Sequence, residues 1–300
     1  MADDANKGAE PADKKDGPPD DKRMSFLEHL GELRGRLRNS ALAVVISLVV
    51  AYPIRVYLYV LLAAPLMNTW AETEKELGLG KAKFVYLAPH EAFMVQLKLA
   101  AVAAIFFASP FIFRELWRFI SPGLYARERL WGLSFVLVSV ALFLGGAAFC
   151  YFYVLPASYK FFLSYSMHEI GAIKDISIFG YKLNVTLSQP FDIQPMISME
   201  SYMGLTMTLL IVFGLVFELP LVLCVLAIMG IVSAKSLWRF NRYAIVLFAV
   251  AGAVLTPGDL VVGQLAMTAA LTVLYNLSIL IAMFVGKKRK EREAAEEANA

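Results

Sequence analysis

The chain has 300 residues, 59% of them hydrophobic, and a formal net charge of only +3. A clearly positive mean hydropathy excludes a soluble globule of this length. The small charge, most of which marks topology, is no nucleic-acid footprint, and Cys150 and Cys224, in apolar runs without metal-like spacing, read as packing residues.

Residues 1–23, rich in Asp, Lys, Pro and Gly, read as a disordered tail, and no cleavable signal peptide is visible. An amphipathic helix follows. Phe26, Leu30, Leu33 and Leu37 fall at steps of four, three and four and share one face. Glu28 and Glu32 lie one turn apart, and Arg34, Arg36 and Arg38 crowd the end nearest the first apolar run. A plain membrane anchor needs only the basic residues, so the carboxylates point to a surface that meets a cationic partner. Glu32 and Arg36 are also spaced to pair with each other, an interaction worth a few tenths of a kcal/mol. Both readings stand at this point.

Apolar runs long enough to cross a bilayer predict six spans, at about 39–62, 91–113, 130–155, 201–229, 243–256 and 260–285. The fifth reaches only about 21 Å as a helix, short of a hydrocarbon core of about 30 Å, and the sixth also ends early, leaving a thin pair. Lys and Arg gather in 22–38, 114–129, 235–242 and 287–292 and are sparser in 63–90 and 156–200. The positive-inside rule then puts both termini in the cytoplasm. Pro65 is expected to end the first span, because proline cannot donate its amide or continue a helix without clash.

The inner loop 114–129 places Glu115 and Glu128 among arginines, with Pro122-Gly123 as a turn between two short amphipathic pieces. In the long outer loop 156–200, Ile176, Ile178 and Phe179, then Tyr181, Leu183, Val185 and Leu187, give a period near two around Gly180, which favours a β-hairpin. Glu218, in Phe217-Glu218-Leu219-Pro220, lies deep in the fourth span. An acid at that depth costs about 2.5–3.5 kcal/mol on insertion scales and is a functional candidate by default. Its bland alternative is a hydrogen bond to a neighbouring helix. Pro220 frees a carbonyl and kinks the helix. Lys98 and Arg55, nearer span ends, can snorkel. Asp259, in Thr256-Pro257-Gly258-Asp259, sits at the tight turn before the sixth span, where it forms the turn and caps the helix. From Lys287 to Ala300 a basic patch leads into an acidic, Ala-rich tail, helical or disordered.

No nucleophile elbow, zinc-protease pair or phosphate-binding glycine loop is present, and His29, His90 and His168 are scattered. The sequence therefore predicts neither an enzyme nor a metal or cofactor site. Physics alone leaves a proton-coupled secondary transporter with Glu218 as its midplane carboxylate, although the absence of an internal repeat weakens it. A structural scaffold for membrane assemblies is a third reading.

Taken together, Phe26-Leu27-Glu28-His29-Leu30-Gly31-Glu32-Leu33-Arg34-Gly35-Arg36-Leu37, Ala64-Pro65-Leu66, Ser109-Pro110, Phe119-Ile120-Ser121-Pro122-Gly123-Leu124-Tyr125 with Glu128, Phe217-Glu218-Leu219-Pro220 and Leu255-Thr256-Pro257-Gly258-Asp259 resemble the TatC family. This is the multispanning receptor of the twin-arginine protein translocase. The resemblance implies an all-α polytopic protein of the bacterial cytoplasmic (inner) membrane, with six helices in a concave bundle, the last two short. The membrane domain would cover 24–286 and a charged tail 287–300. It also implies that the cytoplasmic face binds signal peptides bearing paired arginines, with Glu32 and Glu128 as acceptors and Leu33, Arg34 and Phe119 around them. TatA-like and TatB-like single-span subunits would dock near Glu218, Pro220, Thr256 and Gln264, several copies would associate, and folded cargo would be exported by the proton motive force. Two features depart from the family pattern. The loop 156–200 is longer, and Gly263 fills the slot where a Gln is often found, with Gln264 following.

Overall fold

The computed structural model describes residues 26–77, 81–120, 132–171, 176–178, 181–183, 196–255 and 262–297. Helices dominate, in the order α1 (Phe26–Ala51), α2 (Arg55–Leu77), α3 (Glu91–Ile120), α4 (Gly132–Phe149), α5 (Leu155–Gly171), α6 (Met199–Phe217), α7 (Leu219–Ile228), α8 (Ala234–Leu255) and α9 (Val262–Glu297). A π-helical turn, Cys150–Val154, joins α4 to α5 without a break. By length and composition four helical segments among the described residues can cross a membrane, or five if the bent pair α1 and α2 is one span. Lys235, Arg239 and Arg242 occupy the first half of α8 and shorten its apolar part.

The first span is not the straight 39–62 helix read from the sequence, and Pro65 does not end it. The chain turns by 88° at Tyr52, Pro53 and Ile54, and Pro65 lies inside α2. Proline lacks a donor and biases the preceding residue away from helix, so Pro53 breaks the run. Pro65 is tolerated because the carbonyl it leaves free, that of Leu61, accepts the Tyr151 hydroxyl at 2.8 Å. Pro110 is accommodated within α3 in the same way. The Ser109 hydroxyl donates to the Phe106 carbonyl at 2.8 Å, the acceptor Pro110 cannot use.

Small residues set the close contacts. Ala51, Ala103 and Ala104 bury where α1 and α3 run side by side. α4 crosses α6 through facing glycines: a Cβ on Gly146 would lie 2.5 Å from the Phe213 carbonyl, and one on Gly214 would lie 2.7 Å from the Phe143 ring. The core around Phe213, Leu99, Leu155, Met203 and Met267 contains a buried Tyr159–Thr206 hydroxyl pair at 2.6 Å, and Thr206 in turn donates to the Tyr202 carbonyl at 2.8 Å, so these buried polar atoms are satisfied.

At the opposite end of α3 from Ile120, β1 (Phe84–Val85) pairs parallel with β4 (Ile197–Ser198). Glu91 ties this end together: it accepts from the Leu87 and Glu200 amides at 2.7 and 3.0 Å and from Ser198 at 3.2 Å. Lys98 reaches Glu200 at 2.6 Å, and Arg55 bonds Gln96 and the Tyr52 carbonyl, so both cations are partnered. Of the expected hairpin the described part pairs, β2 (Ile176–Ile178) antiparallel to β3 (Tyr181–Leu183), with Ile176 opposite Leu183 and Ile178 opposite Tyr181, while Phe179, Gly180, Val185 and Leu187 lie outside the described residues.

Candidate functional site

α1 and α3 bring the start of one helix beside the end of the other. Glu32 and Arg36 stand one turn apart on α1, and Glu115 lies in the last turns of α3. Arg36 donates to Glu32 at 2.9 Å and to Glu115 at 3.1 Å, so its guanidinium bridges the helices. These bonds, Glu32 first and then Glu115, hold the Arg36 pKa above its ordinary value. Arg118 adds a second cation 3.6 Å from Glu115. His29 stacks flat on Phe119, with ring centroids 4.3 Å apart. Its Nδ1 is 3.9 Å from Glu32.

Below this cluster a cavity of about 350 Å³ opens between α3, α4 and α7, with His29 and Phe119 among its lining residues. Phe113, Trp117, Phe135, Val222 and Met229 make its walls largely apolar, and His29, Ser139 and Glu218 contribute polar groups. Glu218 sits in the turn between α6 and α7, set there by Pro220 in the first turn of α7. It is 8% exposed, the Ser139 hydroxyl lies beside its carboxyl, and its Oε1 has no partner among the described residues.

A third polar region lies along α9. Gln264, Thr268, Thr272 and Asn276 recur every four residues on one stripe. Gln264 donates to the Ala249 carbonyl of α8 at 3.1 Å, and Asn241 donates to Asn276 at 3.1 Å. Gly252 allows α8 to approach there: a Cβ would lie 3.1 Å from the Gln264 carbonyl.

Of the residues singled out in the sequence, Glu32 and Phe119 come together through His29. Leu33 and Arg34 lie on the exposed side of α1. Glu218 and Pro220 line or shape the cavity, and Gln264 faces α8. Glu128, Pro122, Thr256 and Asp259 lie outside the described residues. Sequence reasoning missed Glu115 as a member of the cluster. The signal was present: Glu115 is in phase with buried Ala104 and Ala108 on α3, and a carboxylate on a buried stripe needs a partner. Among the described residues no group of three or more His, Cys, Asp or Glu is placed to hold a metal ion.

The family model for TatC, the Sec-independent protein translocase protein, matches residues 28–269. A protein of Desulforapulum autotrophicum named Sec-independent protein translocase protein TatC is 37% identical over 282 residues, covering 93% of each chain. One of the same name from Koribacter versatilis is 37% identical over 277 residues, covering 92% of each. A solved structure described as the twin arginine translocase receptor TatC superposes with a TM-score of 0.68 at 31% identity, covering 86% of this chain and 99% of that one.

Proposed function

The chain belongs to the TatC family of Sec-independent protein translocase proteins, and from that premise we infer that it is the signal-peptide receptor and core subunit of a twin-arginine translocase. In this reading six spans, with both termini cytoplasmic, lie in the bacterial inner membrane. The end of α1 and α3 that carries Glu32 meets precursors before export. TatA-like and TatB-like single-span subunits dock near Glu218, Pro220, Thr256 and Gln264, and the proton motive force drives the export of folded cargo.

The observation that carries this reading is the cluster at Glu32. Its carboxylate already holds a guanidinium, that of Arg36, beside the mouth of an apolar cavity. Guanidinium prefers planar carboxylate partners, and lysine substitutes poorly. An apolar cavity next to a guanidinium site suits a peptide whose paired arginines are followed by apolar residues. Glu128 is the second acceptor in this proposal.

A photo-crosslinkable signal peptide with Arg-Arg should label residues 25–38 and 114–129, and its Lys-Lys version should label them much less. Equal labelling of both, or labelling only within the spans, would sink the receptor reading. The buried Glu218, with an unpartnered oxygen, keeps a proton-coupled transporter as a second reading. That reading requires Glu218→Gln to abolish substrate-driven proton uptake into vesicles that contain this chain without partner subunits.

A further inference from the structure

Arg36 occupies the place where a ligand guanidinium would be expected. It spends Nη2 on Glu32 Oε1 at 2.9 Å and Nη1 on Glu115 Oε2 at 3.1 Å. The cluster is nevertheless incomplete. Glu32 Oε2 and Arg36 Nε are both buried without a hydrogen-bond partner among the described residues. His29 Nδ1 approaches Glu32 Oε2 only to 3.9 Å, beyond hydrogen-bond reach. A carboxylate can accept a bidentate fork, and Glu32 receives only half of one. The Arg36 side chain remains 27% exposed, so it has room to move.

Resting on the receptor reading above, we propose that Arg36 is a specificity-determining residue: a resident guanidinium that an arriving arginine displaces from Glu32 and that Glu115 then retains. The exchange conserves ion pairs. The arriving guanidinium engages both oxygens of Glu32, including the one now unpartnered. Arg36 gives up one bond and keeps the other, to a carboxylate already in contact with it. No charge is left buried and alone, which is the outcome that makes breaking such pairs costly.

The same exchange disfavours lysine. An ammonium is a compact point charge without a planar fork, so it cannot return to Glu32 what the departing guanidinium removes. The resident arginine thus adds a displacement cost that a fork meets and an ammonium does not. That is specificity achieved by penalising the wrong ligand. Glu115 is a positioning residue here: it acts on Arg36 and not on the peptide.

The test measures binding of fluorescent Arg-Arg and Lys-Lys signal peptides to the full-length chain in lipid nanodiscs. Arg36→Gln should tighten the Lys-Lys peptide more than the Arg-Arg peptide, narrowing their ratio by about 3- to 10-fold. Arg36→Lys, which keeps a cation between the carboxylates, should narrow the ratio in the same direction and guards against loss of fold in the first variant. Glu115→Gln should weaken the Arg-Arg peptide by a similar factor, but only while Arg36 is present. In the Arg36→Gln background there is nothing to retain, and the loss should vanish. An equal loss in both backgrounds would mean that Glu115 touches the peptide itself and would overturn the proposal. So would equal weakening of both peptides by Arg36→Gln and Arg36→Lys, since Arg36 would then only hold the site's shape. If the unaltered chain fails to distinguish the peptides, the receptor reading fails first and this proposal goes with it.

Discussion

Glu32 and Glu218 are acids near the same cavity, and the fold treats them in opposite ways. Glu32 is given Arg36 at 2.9 Å, with Glu115 sharing that cation and Arg118 beyond it. Among the described residues Glu218 has the Ser139 hydroxyl beside it and largely apolar walls around it. A buried charge without a partner is costly, and a buried pair is tolerable only with good geometry. The difference teaches that a carboxylate with a resident cation is suited to exchanging cations. One that has no resident cation among the described residues is suited to receiving a donor that a helix or peptide brings.

The most severe break of this contrast is to reverse the charge at Glu32. Glu32→Lys sets a second cation beside Arg36 where an arriving arginine needs an acceptor. Capture of an Arg-Arg signal peptide should fall by about 100-fold or more, read by crosslinking yield, while crosslinks of single-span partner subunits persist. Loss of both together would mean that the two regions are one site.

Gly146→Val strikes the other region. Its Cβ would lie 2.5 Å from the Phe213 carbonyl and 2.8 Å from Phe217, the residue before Glu218. Backbone cannot yield as a flexible side-chain end can, so overpacking should cost about 2 kcal/mol, seen as a lower unfolding temperature in detergent. Peptide capture at Glu32 should survive wherever the protein remains folded. An unchanged melting temperature would mean that α4 and α6 do not cross this tightly.

How much of the contrast could be read from the sequence depends on where each partner lies. Glu218 stands in an uninterrupted apolar run, so its apolar setting is a local property and was legible, whereas its Ser139 neighbour on another helix was not. The Glu32–Arg36 pair is four residues apart and was legible as one of two readings. Glu115 reaches Arg36 across 79 residues, and its own neighbours, Arg114 and Arg118, make it resemble a solvated charge. The prolines divide the same way. A proline's effect depends on whether its orphaned carbonyl finds a donor, and for Pro65 that donor, Tyr151, lies 90 residues from the Leu61 acceptor. Pro53 breaks the helix where Pro65 does not, and no local pattern distinguishes them. The period-two hairpin was legible because both strands and their turn are contiguous.

Glu218→Gln sharpens the contrast with a smaller expected effect. The amide keeps the shape and a hydrogen-bonding group for Ser139, so the fold should persist, with stability unchanged or up to about 1 kcal/mol higher. Export in membrane vesicles should nevertheless drop several-fold, with weaker crosslinks from partner helices and no change in Arg-Arg peptide capture. Wild-type export and wild-type partner crosslinks would reduce Glu218 to a structural residue.

The smallest effect belongs to the helix that carries Glu115 to Arg36. Pro110 leaves the Phe106 carbonyl without a backbone donor, and the Ser109 hydroxyl supplies one at 2.8 Å. Ser109 is 1% exposed, so little water can replace it, and Ser109→Ala should cost about 1 kcal/mol in unfolding free energy. If the hydroxyl acts only by meeting that acceptor, Pro110→Ala should cancel the cost, because residue 110 then donates its own amide to Phe106. Ser109→Ala should therefore be nearly silent in the Pro110→Ala background. Both changes lie on the Glu115 side of the contrast. Pro110→Ala restores a backbone donor for Phe106 inside α3, and neither change should alter partner crosslinks at Glu218. A full cost for Ser109→Ala in the Pro110→Ala background would show that the hydroxyl serves some other acceptor.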